Sequence, residues 1–502
     1  MRLQDLVDNT GIKLDSKLKD LEIKGVSSNS KQVQKDCLFV AIEGENFDGH
    51  DFIHGAIKAG AKVIIYQADH KIEDLQKTNN SIIFLPVKDS RPALSSIASK
   101  FYQEPSKKLK VIGITGTNGK TTITYLLENI LKTANKRTGV IGTINYRFLD
   151  CQIKATNTTP GPLDTQRLLR DMVEAHIDYV IMEVSSHALD QDRVRDVEFK
   201  TSVFTNLTQD HLDYHKDLEA YFQAKKKLFI EPNQSKLSII NGDDPYGIRL
   251  INEIQQPTLT YGLKKELDIY ATDIKLTLDN AQFQVKTPKG ELKIKTSLLG
   301  IHNIYNILAS IGTCLSLGID SDSIIEGIDK LKFVPGRLQK ILCGQNYRIF
   351  IDYAHTDDAL KNILSFLRNI RESMGIESRI IIVFGCGGDR DKTKRRKMGS
   401  VASSLADFCI ISNDNPRNEE PQGIANEIIK GIKNKNFEVI LDRFQAIKKA
   451  LSLARDNDIV VIAGKGHENY QIFKDRTIPF DDSQVVKEII SSFPSLSQKE
   501  RT

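Results

Sequence analysis

The sequence predicts an α/β protein of three domains: a small α/β domain first, a central parallel-sheet domain with antiparallel edge strands, and a second open α/β sheet last. Three observations lead there. The chain has 502 residues, several times what one domain of about 150 residues holds. Short apolar runs that end in glycine or polar residues alternate with helix-forming stretches, as parallel strands covered on both faces do. That layout is interrupted between Pro257 and Leu299 by alternating segments, AQFQVKT and ELKIKTS, which suit antiparallel strands at an edge.

In chain order, residues 1–105 contain CLFVAIEG, AKVIIY and SIIFLPV, three strand-like runs with helical spacing between them. The polar segment Glu104–Lys108 reads as a linker to a central domain, 106–334. There LKVIGITG is a buried strand entering a glycine turn, TTITYLLENILKTAN a helix, and DYVIMEVSS and TSVFTNL further strands. A third domain, 335–502, opens at Pro335-Gly336. Its runs YRIFIDYAH, RIIIVFGCGG, DFCIISNDNP, FEVILD and DIVVIAGKG are Rossmann-like, and the loops at their carboxyl ends should form a binding crevice. The tail FPSLSQKERT is expected to be mobile.

Composition narrows the function. The chain is 40% hydrophobic and 27% charged, with a formal charge of +5. This is ordinary for a globular protein, and a mild charge suits small anionic substrates better than nucleic acid. No apolar stretch is long enough to cross a bilayer, and MRLQDLVDNTG carries acids where a signal peptide needs an apolar core. The six cysteines form no CxxC pair and read as reduced thiols. A cytoplasmic location is expected, and a monomer.

The segment GITGTNGKTT, Gly113 to Thr122, follows a strand and opens a helix. Glycines let backbone N–H groups of Gly116, Thr117, Asn118 and Gly119 face an anion, and the helix start adds positive potential. Lys120 would reach outer phosphates, and the Thr121 hydroxyl, followed by Thr122, would face Mg²⁺. Glu183 ends an apolar strand, a natural place for a metal carboxylate, although an isolated acid there is also an ordinary surface group. His211 sits in a polar run and by itself reads more readily as a turn or hydrogen-bonding residue than as a ligand. Lys225, in YFQAKKKLF, reads by spacing as part of a solvated basic helix face.

TGTNGKTT resembles the phosphate loop of the Mur ligases and of their relative folylpolyglutamate synthetase. NTTPGP, EVSSHALDQDRV, TNLTQDHLDYH, HNIYN, PGR and DYAHT follow in that family's order, so the resemblance covers nearly the whole chain. It implies a P-loop ATPase-like central domain that joins a carboxylate to an amine through an acyl phosphate, using ATP and Mg²⁺. Thr121, Glu183 and His211 would take metal roles. Lys225, ten residues after His215, would be a carbamylated lysine (N6-carboxylysine) holding a second Mg²⁺. His302, Asn303 and Asn306 would meet the nucleotide, Arg337 its phosphates, and Asp352 the ribose with His355 close by.

Three strings in the third domain resemble the MurE branch of the family. They are GCGGDRDKTKR, SNDNPRNE and GKGHE. Asp414, Asn415, Pro416 and Arg417 match the DNPR string of members that select meso-2,6-diaminopimelate. A guanidinium can grip the carboxylate of that second amino-acid head through two parallel bonds. Arg390 would hold the other carboxylate, Glu468 would accept from an ammonium, and Gly464 would offer backbone. The implied partner is UDP-N-acetylmuramoyl-L-alanyl-D-glutamate, lying on Ser28, Ser30, Asn157, Thr158, Thr159, Ser185, Gln191 and Arg193. Asn29 and Lys31 replace the Asp and Arg of the family's DSR string. The competing readings are a lysine-adding MurE, a folylpolyglutamate synthetase-like ligase, and a nucleotide-switched binding protein that makes no bond.

Overall fold

Four short strands, two of them buried almost throughout, build the first layer. β1 (Gly25–Ser27), β2 (Cys37–Val40), β3 (Ala61–Gln67) and β4 (Ile83–Val87) pair in parallel in that order. Successive side chains point to opposite faces. Leu38, Val40, Val63 and Ile65 therefore pack with Leu94 and Ile97 of the helix Ser90–Phe101, whereas Phe39, Ala41 and Ile64 pack with Ile53 and Ala56. β1, with only Ser27 buried, has no apolar signal and escapes a reading by pattern. The structure, a computed structural model, describes every residue except Asn9, Glu45, Asn46, 231–234, Met374, Ile376 and 494–502, and the side chains of 212 and 213. Nearly all of the tail expected to be mobile lies outside the described residues. Glu104–Lys108, expected as a linker, instead holds a 3-10 turn with Pro105 and Ser106 buried, and Ser106 Oγ accepts from the Glu198 N–H at 3.1 Å.

β5 (Lys110–Thr115) leads the central sheet, followed by β6 (Thr138–Ile141), β7 (Asn145–Phe148), β8 (Cys151–Lys154), β9 (Tyr179–Glu183), β10 (Phe199–Phe204), β11 (Ser238–Asn241) and β12 (Thr258–Gly262). Side by side they run β8-β7-β6-β9-β5-β10-β11-β12. Pairing is parallel from β6 to β12 and antiparallel through β6, β7 and β8. β5 lies between β9 and β10, so its five last residues are buried and the glycine turn leaves the middle of the sheet. β13 (Ile269–Leu276) joins β12 at Ile269 and Tyr270. AQFQVKT and GELKIKT are β14 (Ala281–Thr287) and β15 (Gly290–Thr296), burying alternate residues Ala281, Phe283, Val285 and Leu292, Ile294, Thr296.

The chain divides into two compact units. One is Met1–Ala271 with Lys286–Glu291 and Tyr305–Gly327; the other is Thr272–Val285, Leu292–Ile304 and Ile328–Thr502. The second unit contains β16 (Gln339–Ile341), β17 (Arg348–Asp352), β18 (Ile380–Phe384), β19 (Phe408–Ile411), β20 (Phe437–Val439) and β21 (Ile459–Ala463), in the order β16-β17-β21-β18-β19-β20. All pair in parallel except β16 with β17. Their near-continuous apolar runs follow from helices on both faces: Leu360, Leu364, Leu367 and Met398 on one, Ala446, Ile447, Val486 and Ile489 on the other. β21 inserts between β17 and β18, and that break in order opens a crevice at the carboxyl ends. Arg443 and Asp482, both fully buried, close a two-bond ion pair at 2.8 Å. Arg443 also donates to the carbonyls of Ala463 and Asn413, tying the ends of β21 and β19 together.

Candidate active site

The phosphate loop is assembled by residues far from it in sequence. Thr117 N–H donates to Asn206 O at 2.9 Å, Asn118 N–H to Asn206 Oδ1 at 3.0 Å, and Thr205 Oγ1 to Asn118 O at 2.6 Å. Gly119 has φ +94°, and a Cβ there would lie 2.4 Å from Asn306 Oδ1. Only glycine fits, on backbone and on space. Lys120 Nζ donates to the carbonyls of Gly116 and Thr117, both at 2.9 Å. The following helix, Lys120–Thr133, buries Ile123, Leu126, Leu127, Ile130 and Leu131. That i, i+3, i+4 stripe, at roughly 1.5–3 kcal/mol per side chain, holds the loop on the sheet, with Thr122 buried behind it.

Glu183, at the end of β9 and almost wholly buried, is the hub beside the loop. Its carboxylate accepts from Thr121 Oγ1 at 3.0 Å, Thr143 N–H at 3.0 Å and Thr143 Oγ1 at 2.9 Å. Thr143 Oγ1 reaches Thr158 Oγ1 at 3.1 Å, and Thr159 Oγ1 donates to Glu183 O at 2.8 Å while accepting from Ser185 N–H at 3.0 Å. One carboxylate with two threonine hydroxyls is a hard-oxygen set that fits Mg²⁺. Thr143 was not foreseen. It lies in GTIN, and only the parallel pairing of β6 with β9 brings that turn to Glu183.

Lys225 overturns the reading of its helix as a solvated face. It is 1% exposed, and Nζ donates to Gly116 O at 2.9 Å and lies 4.4 Å from the Tyr221 ring centroid. Among the described residues no carboxylate pairs with it. Burial first, and then the Lys120 charge, hold its amine well below the ordinary lysine range. An amine shifted in that direction gives up its proton more readily, and the free amine is nucleophilic and can add to CO₂, forming a carbamate that presents oxygens. Lysine itself offers no metal ligand here, so the second-metal role fits only after that modification. His211, in the left-handed region at φ +52°, packs its ring 5.0 Å from that of His187. Loss of hydration first, against the pull of Asp210 and with Lys120 nearby, pushes it down to about 4, so at neutral pH it is an uncharged imidazole.

The other residues expected on the first unit fall into two places. Arg193 donates to Gln191 Oε1 through Nε at 3.1 Å and to Thr159 O at 3.0 Å, and Gln191 Nε2 donates to the Tyr214 hydroxyl at 3.2 Å. These join Thr158, Thr159 and Ser185 around Glu183. Asn157 is exposed, its backbone fixed by the Tyr146 hydroxyl at 2.7 Å. Ser28 follows β1, and Ser30 opens a 3-10 turn capped by Asn29, whose side chain accepts from Lys31 N–H at 3.0 Å. The asparagine thus keeps the capping geometry an aspartate would make. Downstream, Asp48 accepts from His50 at 2.6 Å and His70 at 2.9 Å, and His50 Nε2 accepts from Gln67 N–H at 3.0 Å. Both His50 nitrogens are thereby used.

In the second unit His302 is exposed, while Asn303 is buried and donates to Leu299 O at 2.7 Å. Asp352, buried at the end of β17, accepts from Leu338 N–H at 2.6 Å and Ala354 N–H at 2.7 Å. Burial pushes it up to about 6 against the pull of Arg337 and those bonds. Arg337 stacks 4.7 Å from the Tyr353 ring, and His355 Nδ1 bonds Tyr353 O at 2.9 Å.

The loops after β18, β19 and β21 meet. Gly388 N–H donates to Asn415 O at 2.9 Å, and a Cβ at Gly388 would lie 1.9 Å from Pro416 O, so the GCGG turn can approach DNPR only as glycine. Gln471 Nε2 donates to Asp414 O at 3.0 Å, and Gly464 N–H donates to Asp352 O at 3.1 Å. Arg417, at φ +52°, is half-buried; NH1 donates to Gly388 O at 2.8 Å. A Cβ at Gly387 would lie 2.9 Å from Arg417 NH1 and 3.7 Å from Arg390 Cγ. Among the described residues neither arginine has a carboxylate partner. The Arg417 guanidinium on that glycine turn, the exposed Arg390 of the same loop, and the Glu468 carboxylate bonded to Asn415 at 2.8 Å offer groups of the charges that a ligand bearing both carboxylate and ammonium needs.

The Mur ligase family, catalytic domain, matches residues 22–102, the Mur ligase middle domain residues 114–314, and the Mur ligase, glutamate ligase domain, residues 336–466. The chain belongs to the Mur ligase family. Within it, the chain is 44% identical over 473 residues, 94% of its length and 95% of the relative's, to the UDP-N-acetylmuramoyl-L-alanyl-D-glutamate–2,6-diaminopimelate ligase of Clostridium tetani. It is 42% identical over 492 residues, 98% and 99% of the two chains, to ligase 1 of that name from Clostridium acetobutylicum. A solved structure of a ligase so named matches with a TM-score of 0.70 at 30% identity, covering 98% of this chain and 99% of the other. The three-domain Mur ligase architecture expected from the sequence is thereby shown. Among the described residues no helix is long and apolar enough to cross a membrane.

Proposed function

We propose that the chain is an ATP-dependent amide ligase that adds meso-2,6-diaminopimelate to the D-glutamyl carboxylate of UDP-N-acetylmuramoyl-L-alanyl-D-glutamate. The observation that carries the choice of amine is the pair of arginines, Arg390 and Arg417, which have no carboxylate partner among the described residues, in a cluster of loops that also holds Glu468. A lysine substrate would leave a guanidinium unpaired. The relatives' names support the same choice. We also propose domain boundaries at 1–105, 106–334 and 335–502, a monomer, and a place in cytoplasmic synthesis of a peptidoglycan precursor.

The γ-carboxylate of the substrate attacks the γ-phosphorus of ATP, giving an acyl phosphate and ADP. The loop of residues 116–119 cradles the phosphates, and Lys120 neutralises the oxygens that gain charge in the transition state. Thr121 and Glu183 would hold Mg²⁺, with His211 and carbamylated Lys225 at a second ion, and bound metal would supply further positive charge to those oxygens. His302, Asn303 and Asn306 serve the nucleotide, Arg337 its phosphates, and Asp352 with His355 the ribose. Arg390 and Arg417 bind the carboxylates of diaminopimelate. Its free amine attacks the acyl carbon, the tetrahedral intermediate expels phosphate, and the amide remains. Thr158, Thr159, Ser185, Gln191 and Arg193 hold the muramoyl peptide so that this sequence occurs in line.

The test is phosphate release with ATP, Mg²⁺ and the UDP-muramoyl dipeptide, comparing meso-diaminopimelate with L-lysine. Turnover with diaminopimelate alone is expected. Turnover with lysine would overturn the reading of DNPR, and no turnover with either would overturn the ligase reading.

A further inference from the structure

The GKGHE turn after β21 carries a charge to which the reaction above gives no task. Lys465 is fully buried; Nζ donates to Glu468 Oε2 at 3.1 Å and to Asn415 Oδ1 at 3.2 Å. Asn415 Nδ2 donates to the same Oε2 at 2.8 Å. The amide is oriented by its surroundings, since Asn415 Oδ1 also accepts from Ile472 N–H at 3.0 Å and an oxygen must face two donors. Glu468 Oε2 is therefore occupied by two donors, and among the described residues Oε1 accepts none. An ammonium wholly out of water is costly unless it is paired and hydrogen-bonded; here both conditions are met, by two residues of the proposed amino-acid site.

We propose that Lys465 is a positioning residue that sets amine specificity. It fixes Glu468 so that Oε1 alone is presented to the distal ammonium of the amino-acid substrate. It also fixes the Asn415 amide that shares the task, and offsets the buried negative charge until the amine arrives. The inference rests on the diaminopimelate reading.

The experiment uses the full-length enzyme with saturating ATP and UDP-muramoyl dipeptide. It compares kcat/KM for meso-diaminopimelate and for 2-aminopimelate, which keeps both carboxylates and lacks one amine. Absence of wild-type turnover with diaminopimelate would refute the underlying reading, whatever the variants do. With turnover, the wild type should prefer diaminopimelate by about tenfold or more, the scale of a charge-assisted bond. Lys465→Met and Glu468→Gln should each abolish most of that preference, and the double variant should lose no more than either single. A purely structural lysine would weaken both substrates equally. A Lys465→Met enzyme that keeps the wild-type ratio, or effects of the two changes that multiply, overturns the proposal. Should Lys465→Met not fold, Lys465→Gln, which keeps an N–H donor group without the charge, carries the same comparison, with partial loss of the preference expected and an unchanged ratio overturning the proposal.

Discussion

Replacing Arg417 by alanine tests the amino-acid site most directly, because the structure separates its binding role from its folding role. NH1 makes one good intramolecular bond, to Gly388 O at 2.8 Å, with a long contact to Asn415 O at 3.5 Å. The loop has its own supports: Arg417 N–H to Ile472 O at 3.0 Å, Ile472 N–H to Asn415 Oδ1 at 3.0 Å, and Gln471 to Asp414 O at 3.0 Å. Truncation should thus cost about 1 kcal/mol of stability, one ordinary hydrogen bond. A guanidinium gripping a carboxylate contributes two charge-assisted bonds, and their loss amounts to about 3 kcal/mol, roughly 150-fold in kcat/KM. The assay is steady-state phosphate release with diaminopimelate varied and the other substrates saturating. The loss should fall on KM for diaminopimelate, with KM for ATP unchanged, and thermal unfolding measured alongside should move little. Arg417→Lys should recover only part, since it keeps the charge without the fork. An unchanged KM for diaminopimelate in Arg417→Ala would refute the reasoning.

Three further outcomes are expected. Lys225→Ala should lower turnover by at least about a hundredfold, the scale of a lost electrostatic contact to the transferring group; ¹³C-bicarbonate should give a carbamate NMR signal in the wild type that the variant lacks, and a signal equal in both would sink the modification. Asp352 has its pKa raised to about 6 by burial, so its favourable contribution is complete below the unfolded value near 3.9 and is lost as pH rises through 6, about 3 kcal/mol in all; urea unfolding of Asp352→Asn at pH 4 and pH 7 should show a flatter profile than wild type, and parallel profiles would contradict it. Asp482→Ala leaves Arg443 buried and unpaired and should cost 3–5 kcal/mol of stability, estimated roughly, whereas Arg443→Met with Asp482→Leu should recover much of it; equal losses in single and double variants would show that the pair is not the source.

Local pattern carried much of the architecture. The strands β17 to β21 of the second unit were legible because each lies in a short apolar run ending in small or polar residues, as in RIIIVF and DIVVIAG, whereas β16, three residues long, was not. β14 was legible in AQFQVKT because burial alternates with the same period as the side chains. The phosphate loop was legible because its glycines and Lys120 are consecutive and act through backbone geometry. β1, β7 and β8 were not, since they are three or four residues long and largely lack a continuous apolar run.

The sequence by itself determined the order of motifs, the strand-and-helix alternation and the chemical types available at each loop. Tertiary structure decided which of those residues meet and which are left without a partner. Thr143 reaches Glu183 across 40 residues and Lys225 reaches Gly116 across 109, pairings that no local period encodes. Burial turned a lysine from an apparently solvated helix face into one whose amine is held well below the ordinary lysine range, and packing left Arg417 and Arg390 without acids among the described residues while closing Arg395 onto Glu419 and Glu427. The physical reason is the same throughout. Hydrophobic pattern is a property of neighbours along the chain, whereas hydration and charge balance depend on neighbours in space.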